Sequence, residues 1–185
     1  MLSEVFHFLK YPVYTEDDNP DIKYRLTVFY WLLGYALMFS LVLGMLNTVL
    51  ASTFGLDFGK HAVNDFIEQY SPWVLLFIAV VLAPVLEELC FRGPLIFFRR
   101  SPFFGWIFYV FTLVFGFYHL TNFDVTPTTL LFSPLLVAPQ LSVGVFLGFI
   151  RVRFGLLWGM ALHAMYNLIL IGPLITLKLL NILPE

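Results

Sequence analysis

The chain has 185 residues, 60% of them hydrophobic and only 12% charged, with 22 phenylalanines. Soluble domains carry about 25% charged residues, so this composition excludes a soluble domain and reads as an integral membrane protein. A net charge of -2 without a basic tract excludes nucleic acid as a partner, and the single cysteine, Cys90, excludes an internal disulfide or a cysteine metal cluster.

Residues 1–25 read as an N-terminal interfacial segment, because Leu2, Val5, Phe6 and Leu9 recur at roughly helical spacing. Thr15 to Asp21 is acidic, holds Pro20 and reads as loop. The first apolar run starts near Leu26 and is too long for a cleavable signal peptide. Residues 26–185 form the membrane-embedded domain.

Its first span is 26–50, followed by a polar loop at 51–71 with Asp57, Lys60, Asp65 and Glu68. The second span is 72–98, with Pro84 and Pro94 as kinks or ends, and the third is 102–121. A short turn leads to the fourth span at 129–150, whose start is interrupted by Ser133, Pro134, Pro139 and Gln140. That interruption predicts irregular backbone packed inside protein. Arg151 and Arg153 predict a tight basic turn, and Gly172-Pro173 a break in the fifth span, 155–175.

The expected fold is therefore an all-α polytopic transmembrane helix bundle of about five spans, in contact with membrane lipid. With the N-terminus cytoplasmic, Lys10, Lys23, Arg25, Arg99, Arg100, Arg151 and Arg153 fall inside, and only Lys60 and Lys178 outside. That bias predicts a bacterial-type plasma membrane protein with its N-terminus in and its C-terminus out. There is no internal repeat, which counts against a small transporter.

The stretch Pro84–Pro94, P-V-L-E-E-L-C-F-R-G-P, places two carboxylates and an arginine inside an apolar run. Ionisable groups at that depth are costly and point to function. On a helix Glu88 and Arg92 are i, i+4 and share a face, whereas Glu87 points about 100° away from Glu88. Arginine can neutralise Glu88 and leave Glu87 unpaired, and an unpaired carboxylate in low dielectric is a candidate general base. The alternative is one buried ion network holding the helices together. Cys90 reads as a packing residue beside this motif, and His7 and His61 as solvated. The aromatic excess reads as lipid-facing and interfacial surface.

His119 ends the third span, and His163 and Asn167 lie i, i+4 in the fifth, about 6 Å apart along one helix face. Each is expensive against lipid, so all are expected to face the bundle interior and meet there. A glutamate and a histidine can hold and deprotonate a water, while a second histidine and an asparagine can donate to a developing oxyanion.

Glu87-Glu88-x-x-x-Arg92, Phe115-x-x-x-His119 and His163-x-x-x-Asn167 resemble the three ordered motifs of the CPBP (Abi) family, the intramembrane proteases related to the CAAX prenyl endopeptidase. F-R-G after the glutamates and G-V-F-L-G-F-I-R-V-R-F-G-L-L-W before the third motif agree, and the resemblance covers about residues 72–170. It implies an endopeptidase acting on a membrane-associated peptide or protein. Glu87 would activate water with help from His119, His163 and Asn167 would form the oxyanion hole, and Glu88 and Arg92 would order the site.

A metal-free mechanism without cofactor is the expectation. The variant is zinc held by Glu87, His119 and His163, an acceptable open set, although H-E-x-x-H is absent. The reading from a different class is a non-proteolytic membrane scaffold or bacteriocin-immunity-type protein that uses the polar core for stability.

Overall fold

The computed structural model describes residues 1–59 and 62–180, and its regular structure is helical. Lys60, assigned to the outer side, and His61, read as solvated, lie outside the described residues. In chain order the helices are α1 (Leu2–Lys10), α2 (Ile22–Phe54), α3 (Ala62–Gln69), α4 (Pro72–Phe77), α5 (Ala83–Phe91), α6 (Phe104–Tyr118), α7 (Pro127–Leu131), α8 (Ser133–Leu136), α9 (Ala138–Phe154) and α10 (Leu156–Leu179). A π-turn at Ile78–Leu82 joins α4 to α5, and 3₁₀ turns at Gly93–Phe98 and His119–Asn122 extend α5 and α6.

Four stretches are long and apolar enough to cross a bilayer: Ile22–Phe54, Pro72–Phe98, Phe104–Asn122 and Leu156–Leu179. Helix α9 has 17 residues, about 25 Å at 1.5 Å per residue, and connects the same two ends of the bundle. At one end Arg153 donates to Asp17 (2.9 Å), Glu4 (2.6 Å) and the hydroxyl of Tyr24 (2.5 Å), and Tyr14 packs on Phe104. At the other, Phe58 packs on Phe132, and Lys178 caps the carbonyls of Ile67 and Tyr70. The N-terminal segment, the 99–104 connection and the α9–α10 corner thus share one end. Residues 55–59, 62–71, 123–136 and the end of α10 share the other.

Helix α9 is the axis of the bundle. Phe146, Leu147, Phe149 and Ile150 are buried, and α1, α2, α6 and α10 pack around them. Gly144 and Gly148 let α6 approach: a Cβ at Gly148 would overlap the Phe108 ring, and one at Gly144 would stand 3.1 Å from Phe115. This is the small-residue packing of membrane helices, where apolar side chains gain little by leaving lipid for protein.

Several local expectations change. Arg151 and Arg153 lie in the last turn of α9, and the corner itself is at Gly155, whose φ of 98° suits glycine. Both arginines have protein acceptors, Arg151 donating to the Arg92 carbonyl at 3.2 Å, so their charge does not break the helix. Pro173 sits inside α10 rather than ending it; neighbours in a bundle can compensate a proline. The region 51–71 is not all loop, since α2 runs to Phe54 and α3 fills Ala62–Gln69. The interrupted start of the fourth span is two short helices, α7 and α8, with prolines in their first turns. His7 is exposed, as expected. The aromatics divide: Trp73, Phe97 and Trp106 face outward, but Phe8, Phe29, Phe108, Phe115 and Phe146 build the core.

Candidate active site

Helix α5 carries the charged motif, and the chain bends through the π-turn just before it. Pro84 supplies no backbone N–H, and the wider π-turn leaves carbonyls to be satisfied from outside the helix. Asn167 does this for one of them, its Nδ2 donating to the carbonyl of Ala79 at 2.8 Å. That bond fixes α10 against the bend and sets the height of His163, one turn earlier.

Glu88 is fully buried and Arg92 nearly so, and NH1 of Arg92 lies 3.3 Å from Oε1 of Glu88. The guanidinium carbon stands 3.7 Å from the centre of the Phe115 ring, and NH2 donates to the carbonyl of Gly144 at 3.4 Å. Burying a charge this deeply demands such partners. Gly159 makes room on the other side, because a Cβ there would meet Oε2 of Glu88 at 3.0 Å. The expected i, i+4 pair is present, at the C-terminal end of α5.

Glu87 points elsewhere. Its Oε2 is buried and has no hydrogen-bond partner among the described residues. Nε2 of His119 lies 3.9 Å from it and Nε2 of His163 lies 3.8 Å from it. The other ring nitrogens are engaged: Nδ1 of His119 is 2.9 Å from the carbonyl of Phe115, and Nδ1 of His163 is 3.2 Å from Oε1 of Glu88. A carbonyl only accepts, so Nδ1 of His119 carries a proton, and in the neutral ring the lone pair is then on Nε2.

Glu87, His119, His163 and Asn167 all line one cavity of about 450 Å³, walled on the far side by Phe66, Ile67 and Leu174. Glu88 and Arg92 lie beneath its floor rather than in it. Gln140 and Asn122 also line it, and neither stood among the residues expected at the site. A glutamine in an apolar span was a usable signal, since polar side chains at that depth are costly. Cys90 is exposed, not packed beside the site. Two residues at about 100° each carry it to the far side of the helix from Glu88.

The geometry offers one unpaired carboxylate oxygen facing two imidazole nitrogens, with amide groups nearby, in a cavity lined mostly by apolar side chains. Among the described residues no three His, Cys, Asp or Glu side chains are grouped so as to hold a metal ion.

A family model described as type II CAAX prenyl endopeptidase Rce1-like matches residues 69–169, more than half of the chain. The chain belongs to this family. As an Rce1-like protein it is an intramembrane protease of the CAAX type in the general sense, acting on peptide or protein in a lipid environment. The match spans α4 to the middle of α10, so it contains the whole charged motif, both histidines and Asn167. Comparison with curated proteins found no match, and neither did comparison with solved structures.

Proposed function

We propose that this Rce1-like protease hydrolyses a peptide bond of a membrane-associated substrate with a water held by Glu87 and His119 and an oxyanion hole formed by His163 and Asn167. One observation carries the reading. Two Nε2 atoms face a partnerless oxygen of Glu87 at 3.8 and 3.9 Å, too far for direct hydrogen bonds and close enough for one water to contact all three.

The water donates to Oε2 of Glu87 and to the lone pair on Nε2 of His119. As its oxygen attacks the scissile carbonyl carbon, Glu87 takes the proton. The carbonyl oxygen becomes an oxyanion and accepts from the free N–H of Asn167 and from Nε2–H of His163. With Nδ1 set against Oε1 of Glu88, His163 donates at both nitrogens only as an imidazolium. The C–N bond then breaks as Glu87 returns the proton to the leaving nitrogen, giving a carboxyl and an amine product. Glu88 and Arg92 hold His163 from below and touch no reacting atom.

A zinc ion, if bound by Glu87, His119 and His163, would supply an activated water. No step above requires it. The lysine and arginine bias supports placing the Arg153 end of the bundle in the cytoplasm.

The deciding experiment is cleavage of single-span peptides by purified protein in liposomes, comparing the parent with Glu87→Gln. Cleavage by the parent and not by the variant is expected. Equal cleavage by both removes Glu87 from the chemistry.

A further inference from the structure

Gln140, in the first turn of α9, borders two spaces. It lines the catalytic cavity and also a second groove, of about 790 Å³, between α2 and the α8–α10 region. Tyr166 and Leu170 border both as well, so the two spaces share a wall. The α2 side of the groove is small and polar for a membrane helix, presenting Ser40, Gly44, Asn47 and Thr48.

Asn47 and Gln140 both line this groove, and the amide oxygens Oδ1 of Asn47 and Oε1 of Gln140 are buried and have no donor among the described residues. The Asn47 amide is oriented by its own bond, since Nδ2 donates to the carbonyl of Leu135 at 2.8 Å. Its free group is therefore an acceptor. Buried acceptors without donors are costly and few in folded proteins. Two in one groove, one of them on the wall of the catalytic cavity, call for a ligand that brings N–H groups.

We propose that the groove binds an extended segment of the substrate, whose main-chain N–H groups donate to Gln140 and Asn47 and lead the scissile bond to Glu87. The inference rests on the protease reading of Glu87 and deepens it. A helical substrate has satisfied its own N–H groups, so only an unwound stretch can supply them. The substrate class is thus a membrane peptide that is extended for several residues on one side of the cleaved bond. Gly44 leaves room there for the approaching backbone, since nothing lies within 4 Å of a Cβ built on it.

The test uses fluorescent single-span peptides with a Gly- and Pro-containing stretch, reconstituted with the parent, Gln140→Leu and Asn47→Leu. Leucine keeps roughly the side-chain volume and removes the acceptor, and thermal unfolding in detergent checks that each variant folds. The expected result is a rise in KM of about tenfold for Gln140→Leu, the scale of one lost hydrogen bond, with kcat within about threefold. Methylating single backbone nitrogens of the peptide should reproduce that rise in the parent at one position and add nothing further in Gln140→Leu. Such non-additivity cannot come from a merely structural glutamine. A parent that cleaves these peptides while both variants keep its KM overturns this inference alone. A parent that cleaves none of them overturns the protease reading and this inference with it. Should Gln140→Leu fail to fold, the N-methyl series on the parent decides: no position with raised KM overturns the proposal.

Discussion

Nδ1 of His163 lies 3.2 Å from Oε1 of Glu88, the same oxygen that pairs with Arg92 at 3.3 Å. A single buried carboxylate therefore both neutralises the arginine and orients an imidazole of the candidate-site cavity. This converts an ion pair under the floor into control over which nitrogen of His163 faces Glu87. His163→Ala should lower activity by about 10²–10³-fold, the usual effect of one lost oxyanion donor. Asn167→Ala should do the same and also lose stability, by about 1–3 kcal/mol, because the Ala79 carbonyl loses its donor. Rates in liposomes and thermal unfolding of each variant against the parent check this. An Asn167→Ala protein as stable as the parent would mean that the π-turn does not depend on Asn167.

Glu87→Gln keeps the shape of the side chain and removes the carboxylate that takes the proton. A loss of at least about 10²–10⁴-fold is expected, without unfolding, because Oε2 of Glu87 forms no hydrogen bond that the fold depends on. His119→Ala should cost a similar factor. The double variant should be much less than additive, since both groups act on one water. Additive losses would mean two separate roles.

Arg92→Ala should behave differently. It leaves Glu88 buried without its cation, a change of about 3–5 kcal/mol, and it strips the Phe115 ring and the Gly144 carbonyl of their partner. Yield and unfolding temperature should fall along with activity. An Arg92→Ala protein as stable as the parent would show that the pair does not support the fold.

Metal dependence is checked by mass spectrometry on protein that has been treated with chelator and then assayed. Retained activity with far less than one metal ion per chain is the expected outcome. Activity that disappears with the chelator and returns with zinc would instead assign Glu87, His119 and His163 as ligands.

Orientation is tested by single cysteines at Asn19 and Asp57 in a Cys90→Ser background. An impermeant reagent applied outside the cell should label position 57 and leave position 19 untouched. The reverse pattern would invert the bundle.

The sequence by itself determined the membrane class, the all-α fold and the family, because each rests on composition or on motifs local to one helix. The Glu88–Arg92 pair was legible for the same reason: i, i+4 spacing is a property of the helix, whatever surrounds it. Polar residues in apolar spans also announced Glu87, His119, His163 and Asn167, since lipid leaves them nowhere else to go. Other features were decided only by tertiary structure. Arg151 and Arg153 read as a turn until Asp17, Glu4, Tyr14 and the Arg92 carbonyl supplied partners from other parts of the chain. Pro173 read as a break, although α10 continues through it within the bundle. The π-turn receives a bond from Asn167, 88 residues away. Gln140 stands out by its polarity within an apolar span, but that it borders both the cavity and the groove beside α2 was decided only when α9 was placed against α2 and α10. Local geometry is written in the order of residues; which helices meet is set by how their faces pack.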